Sequence, residues 1–497
     1  MAETGIVRYL PTPSDRMGLL WTLLTIKDGV ILELGPSGTT HYSMESISEF
    51  GIPMRGNLYC THIDEDNIIM GDTARFEEAI IELDGERHPD CMFLMGSSLT
   101  SVIATDINGI CRVVENDVSA KLIPFDQGGF VGDYSYGLQL ALTSITKALA
   151  EKTQEVKPRT FNILGAGMDS YRMKSDVKEI CRLMEEAFGW TAHEIIPCES
   201  TLDSFRHAGS AAVNLVIRDE ALPAAKILEE RCETPYVTGM PYGYQGTLKW
   251  LEQVAASIGE SVSPKLIADI QEKSMDLRRI KMWSRMNPNQ KLKFAVVGNY
   301  HLAKGLSQFF EDELGMTPTI KLCSHSLKTV NEPDETIVHC EDETIKIQQL
   351  ELLEDTFIAA DGISLHVAKE NNYKLRVSYP SPGFTPIANH LPLCGEYGTD
   401  FVVEEIYNYL PYIHSVLIMT VEPGLGGQEL IPETIDKISR MKKYLEQEKL
   451  EVDIQADGGI NLQNIDLLKQ AGVSNVVVGN ALMKTKDKKD MINKLKN

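Results

Sequence analysis

The chain has 497 residues, too many for one core, so three or four units of about 150 residues are expected. A formal charge of −23 repels a nucleic-acid backbone and excludes that class of partner. No apolar run reaches the ~18–20 residues that a membrane helix needs. The opening Met-Ala-Glu-Thr lacks the basic region of a secretory signal. Nine cysteines without a C-x-x-C pair exclude a zinc ribbon or thioredoxin-like motif and fit a reducing cytoplasm.

In chain order, Gly29 to Leu34, Cys91 to Met95, Phe161 to Leu164, Ala212 to Ile217, Phe294 to Val297 and Thr356 to Ala359 read as buried parallel strands. Helical patterns lie between them. Ser175 is expected to cap a helix whose Ile180, Leu183, Met184 and Ala187 form one stripe, with Gly189 as the stop. Leu302 to Leu314 predicts a second such helix, stopped by Gly315, and Phe401 to Tyr407 a third. This alternation predicts doubly wound, Rossmann-like α/β domains. Breaks at Glu151 to Arg159, Asn287 to Lys293 and Asn408 to Pro411 divide the chain into 1–150, 151–290, 291–408 and 409–497.

Glycines punctuate the first domain unusually. Gly29-Val-Ile-Leu-Glu-Leu-Gly-Pro-Ser-Gly-Thr-Thr40 is a strand running into a turn that small residues favour. Asp64 to Gly71, Cys91 to Leu99, Pro124 to Phe130, Gly243 to Thr247 and Leu393 to Gly398 follow. His62, Asp64, Glu65 and Asp66 form an acidic stretch that reads as a solvated loop or a partner contact. His41 and Tyr42 follow the glycine turn and read as facing a cleft. Gly165-Ala-Gly167 is half a dinucleotide fingerprint, but Ser170 stands where the third glycine belongs, so no nicotinamide cofactor is expected.

Taken in this order, the motifs resemble the nitrogenase component 1 family over about residues 8–408. The resemblance implies three Rossmann-like domains around a ligand cleft and a dimeric or tetrameric assembly, of which a homodimer is expected here. It also implies an ATP-dependent iron–sulfur reductase as electron donor, and an interface cluster held by cysteines. At the positions matching those cysteines this chain has Ser14, Thr39 and Ser98. Hydroxyls are poor iron ligands at neutral pH, because a cluster wants thiolate. Cys60, Cys91 and Cys394 are the alternative cluster or cofactor candidates. Cys60, Cys91 and Cys111 equally read as small buried apolar residues. The cofactor left open is an iron–sulfur cluster or a tetrapyrrole-type metallocofactor. The residues that hold the nitrogenase active-site cofactor have no match, so dinitrogen reduction is not expected.

From about Tyr409 the text changes. Val416 to Gln428, Val452 to Asn461 and Val476 to Ala481 closely resemble the last third of ribulose-phosphate 3-epimerase. The expected form is a partial TIM-barrel (βα)3 segment following the three domains. Its phosphate-binding candidates are Gly426, Gly427, Gly458, Gly459, Gly479 and Asn480, at strand ends where barrels hold phosphate. By the resemblance Asp457 matches one of two proton-moving aspartates. The second acid/base and the metal-binding histidines have no counterpart, and eight tilted strands are needed to close a barrel. The segment therefore reads as a phosphate-site remnant, and sugar-phosphate isomerisation is the alternative activity. A non-catalytic cofactor or small-molecule carrier is the third reading.

Overall fold

A computed structural model describes every residue except 1–10, 49–55, 72, 127, 153–154, 278–279, 282–291, 380–389, 410–414, 423, 425–426, 448–449, 451 and 497. The opening tetrapeptide, Gly426 and most of the Asn287–Lys293 break lie outside the described residues. The chain divides into Met1–Ile406 and Tyr407–Asn497.

The larger unit holds three sheets in which every strand pair is parallel. The first contains β1 (Val30–Leu34), β2 (Leu58–Cys60), β3 (Cys91–Gly96) and β4 (Lys121–Phe125) in the order β2-β1-β3-β4. The second contains β5 (Lys157–Ala166), β6 (Thr191–Pro197), β7 (Ala211–Val216) and β8 (Tyr236–Thr238) in the order β6-β5-β7-β8. The third contains β9 (Lys293–Gly298), β10 (Thr317–Cys323), β11 (Val338–His339), β12 (Thr356–Asp361) and β13 (Tyr373–Ser378) in the order β11-β10-β9-β12-β13. Continuous apolar runs predict strands covered on both faces, and all six residues of β3 and of β12 are buried. Each fully buried Leu or Phe contributes about 1.5–3 kcal/mol.

Several expected boundaries shift. Ser175 is not a cap: it is buried inside helix Met173–Phe188, which begins after Arg172. Gly189 does end that helix, in the left-handed conformation at φ 70°. The segment from Leu302 is an α-helix only to Gln308, and Phe309–Glu313 continue as a π-helix. The wider turn lets Phe309 and Phe310 both reach the core. The helix expected from Phe401 starts six residues earlier, at Gly395. Of the acidic stretch, Glu65 and Asp66 open helix Glu65–Met70, whereas His62 and Asp64 precede it in a loop.

Helix Asp15–Thr25 crosses helix Tyr134–Leu149 at two glycines. A Cβ on Gly18 would strike the Tyr134 carbonyl, and one on Gly137 the Asp15 carbonyl. This backbone-to-backbone approach needs glycine on both sides. It brings the segment bearing Ser14 against the loop that precedes Tyr134, where Ser14 and Asp133 form an antiparallel bridge.

The smaller unit has β14 (Ser415–Met419), β15 (Asp453–Asp457) and β16 (Asn475–Val477), parallel, in the order β14-β15-β16. One face packs Ile418, Ile454 and Ala456 against Ile438, Leu445, Ile465 and Leu468 of the following helices.

Candidate functional site

The three hydroxyl positions gather at the carboxyl end of the first sheet. Ser14 precedes helix Asp15–Thr25 without making a side-chain cap bond. Ser98 opens the short helix after β3. A Cβ on Gly129, whose φ is 111°, would lie 3.3 Å from the Ser14 Oγ and 3.3 Å from the Ser98 Oγ. Thr39 sits inside helix Ser37–Ser48, later than the expected turn, and its Oγ1 donates to the Pro36 carbonyl at 2.8 Å. The turn itself is Gly35, where a Cβ would meet the Ser97 side chain at 2.6 Å.

Of the candidate thiols, Cys60 alone stands at this end. It closes β2, and its Sγ donates to the Gly35 carbonyl at 2.9 Å. Cys91 lies at the opposite end of β3, fully buried, and burial pushes its thiol up to about 12. Cys394 is fully buried in the other half of the unit beside Asp176, and burial raises its thiol well above the ordinary range. The three cysteines are not brought together. Among the described residues no group of three or more His, Cys, Asp or Glu side chains is placed to hold a metal ion. Within one chain, the described residues do not assemble the thiolates that a cluster needs.

A second site forms where the second and third sheets end. Gly165, Asp169, Ser170, Arg172 and Arg218 line a cleft from one side, and His301, Ser324 and Tyr379 from the other. Its free space is about 40 Å3, room for only a few water molecules. A larger ligand enters only if side chains such as Tyr171 and Tyr379, in edge-on contact at 5.3 Å, move apart.

The buried cation of the cleft is met by more than one carboxylate. Arg218 is buried between two carboxylates, with Nη1 2.8 and 2.9 Å from the Asp169 oxygens and Nε 3.0 Å from Glu220. Burial works against a charged Glu220, yet Arg218 holds it down to about 2. Such a pair tolerates burial because each charge is met by hydrogen-bonding partners. His301 accepts a hydrogen bond at Nε2 from the Asp219 N–H at 2.7 Å. Burial lowers its pKa to about 4. The ring is therefore neutral, with its proton on Nδ1, a donor at the cleft wall. Asp176 accepts from the Leu393 N–H at 2.7 Å and the Cys394 N–H at 3.3 Å, while burial raises it to about 6. Sequence reasoning missed Asp169, Asp176, Arg218, Glu220 and His301. The signal was present: Arg218-Asp219-Glu220 follows a buried strand directly, at the end where open α/β sheets bind ligands.

The two sites are joined. Asp133, paired with Ser14, accepts from the Ser326 N–H. His325 donates from Nδ1 to the Ser326 carbonyl at 2.9 Å, and its Nε2 lies 3.6 Å from Glu220. Tyr134 meets Ser324 at 3.0 Å.

In the smaller unit the described phosphate candidates Gly427, Gly458, Gly459, Gly479 and Asn480 all follow the carboxyl ends of the three strands. Gly424, Gly427, Gly458 and Gly459 all have positive φ, between 67° and 120°. A side chain on Gly427 would land on the Asn480 amide, and one on Gly459 on the backbone of Leu430. Gly479 precedes the four-residue helix Asn480–Met483. Asp457 ends the central strand at the same end of the sheet.

Comparison with known proteins agrees with both halves. Residues 14–411 match the nitrogenase component 1 type oxidoreductase family, and the chain belongs to it. Residues 398–483 match the ribulose-phosphate 3-epimerase family. The nitrogenase iron-molybdenum cofactor biosynthesis protein NifE of Clostridium pasteurianum is 25% identical over 48% of this chain and 52% of its own length. One of the subunits of the light-independent protochlorophyllide reductase of Picosynechococcus is 22% identical over 76% of this chain and 78% of its own length. The ribulose-phosphate 3-epimerase of Mycobacterium leprae is 41% identical over 15% of this chain and 33% of its own. The chain thus spans about half the length of the first curated relatives it matches. The solved structure titled "Nitrogenase Cp1 at pH 6.5" superposes with a TM-score of 0.65 at 19% identity, covering 82% of this chain and 94% of that one. That likeness concerns the fold.

Proposed function

We propose that residues 14–411 form a cofactor-binding subunit of the nitrogenase component 1 type that works without the interface iron–sulfur cluster. Three Rossmann-like domains (1–150, 151–290 and 291–408) enclose the cleft at Arg218 and His301, and that cleft receives the ligand. The observation that carries the reading is the pairing of a walled cleft with hydroxyls at Ser14, Thr39 and Ser98. A relative that builds a metallocofactor and one that belongs to a tetrapyrrole reductase support a metallocofactor or tetrapyrrole as ligand. They also support assembly with a second chain, either another copy or a partner. Electrons, where the reaction needs them, come from a separate ATP-dependent iron–sulfur reductase.

The chain supplies binding and orientation. Arg218, held by Asp169 and Glu220, gives a fixed wall whose guanidinium is already paired. His301 offers one hydrogen-bond donor in a single tautomer, and Ser170 and Tyr242 add hydroxyls. Anaerobic purification with iron and acid-labile sulfide assays tests the cluster-free half, with well under one iron per chain expected. Thermal shift against tetrapyrroles and metal–sulfur cofactors tests the other half. A ligand at a hundred times its Kd stabilises by about 2.7 kcal/mol. A stoichiometric cluster would overturn the first half, and no shift with either ligand class the second.

A further inference from the structure

The smaller unit leaves one face of its sheet uncovered. Side chains alternate along strands, so Ile418, Ile454 and Ala456 face the helices and the other set faces away. That set is Leu417 and Met419 on β14, Asp453, Gln455 and Asp457 on β15, and Asn475 and Val477 on β16. The register puts them in two rows, Leu417–Gln455–Asn475 and Met419–Asp457–Val477. Leu417 is 51% exposed, and Met419 and Val477 are exposed as well. Among the described residues β14 and β16 each pair on one side only, so both sheet edges are open.

Charge narrows the occupant. The three strands carry two carboxylates and no cation. Asp453 receives a hydrogen bond from Asn475 at 3.3 Å. Among the described residues nothing pairs with the Asp457 carboxylate. A second copy laid face to face would set Asp453 and Asp457 against their own counterparts, which like charge opposes. A second copy joined edge to edge would leave both faces open. Strand number argues the same way, because copies supply strands in threes and a small parallel barrel closes at eight.

We propose that this face is a docking surface for a separate chain built from the leading βα units of a sugar-phosphate barrel. Its strands pair in parallel with the edges of β14 and β16, and it sets a cationic group against Asp457. Parallel pairing puts its strand ends at the rim that carries Gly427, Gly458, Gly459 and Asn480, so the joined barrel has one complete rim. The size fits: the match to the Eremothecium gossypii epimerase covers 39% of that enzyme, which leaves the larger, leading part to be supplied.

The test mixes the full chain with an epimerase fragment lacking its last three βα units. Only a fragment first found to regain activity with its own missing piece is used. Light scattering after gel filtration and turnover of ribulose 5-phosphate are measured. The expected result is a one-to-one complex whose epimerisation neither partner shows alone. Asp457→Asn should weaken the complex without abolishing it and, at saturating fragment, cut turnover a hundredfold or more, the scale of a lost general acid–base group. Leu417→Glu should abolish the complex and leave the oligomeric state of the free chain unchanged. A fragment that binds its own piece but not this chain would overturn the proposal. So would a Leu417→Glu change in the chain's own oligomeric state, since a second copy would then cover the face.

Discussion

Arg16 and Glu33 form a buried ion pair, with the guanidinium Nε 2.8 Å from the Glu33 Oε1. Thr40 donates to the second Glu33 oxygen at 2.6 Å, and Arg16 Nη1 donates to the Ser43 Oγ at 2.9 Å. The pair ties helix Asp15–Thr25, β1 and helix Ser37–Ser48 together, two residues from both Ser14 and Gly35. It fixes the backbone on which the hydroxyl positions stand.

Removing one partner strands a charge in the core. Glu33→Ala should cost about 3–5 kcal/mol, read by urea unfolding. Arg16→Met combined with Glu33→Leu should recover most of that loss, because two apolar groups leave nothing unpaired. A double variant as unstable as Glu33→Ala would show that shape, not charge, sets the cost.

Gly129 should tolerate no side chain. Its φ of 111° is unfavourable for any L-residue, and the space beside it is taken by the Ser14 and Ser98 hydroxyls. Gly129→Ala is expected to destabilise by more than about 1 kcal/mol, and thermal unfolding checks it.

Asp176 makes stability depend on pH. Burial raises its folded pKa to about 6, above the unfolded value near 3.9. Between these values the unfolded chain has lost a proton that the folded chain keeps. Stability from this group therefore falls as pH rises from about 4 to 6, by at most about 3 kcal/mol, and is level above that. Both backbone bonds end on Oδ1, so Asp176→Asn keeps them and should remove the fall. Denaturation of both proteins between pH 4 and 7 measures the difference. Parallel curves would refute the assignment.

His301 should not titrate in the neutral range. With a pKa near 4 and Nε2 occupied by the Asp219 N–H, its ring nitrogens should show one fixed neutral tautomer by NMR from pH 5.5 to 8. A midpoint near 6.5 in that range would mean that the ring is not buried as described.

Much of the architecture was legible in order along the chain. Runs such as Cys91 to Met95 and Thr356 to Ala359 are apolar without interruption, and only a strand covered on both faces needs that. The glycine turns at Gly35 and Gly458 and the hydroxyls at Ser14 and Ser98 also stand in plain text, because residue identity fixes what a position can ligate. The cleft was not legible. Asp169, Arg218, Glu220 and His301 belong to different loops, and no local pattern says that their side chains meet.

The sequence by itself determined the strand succession, the absence of thiolates at three positions and the phosphate-type glycines of the last segment, since these follow from composition and short-range periodicity. Tertiary structure alone decided that Arg218 is paired, that His301 carries its proton on Nδ1, that Cys91 stands far from Ser98, and that Leu417 and Asp457 share an open face. Those are facts of distance between segments, and distance is set by how sheets and helices pack.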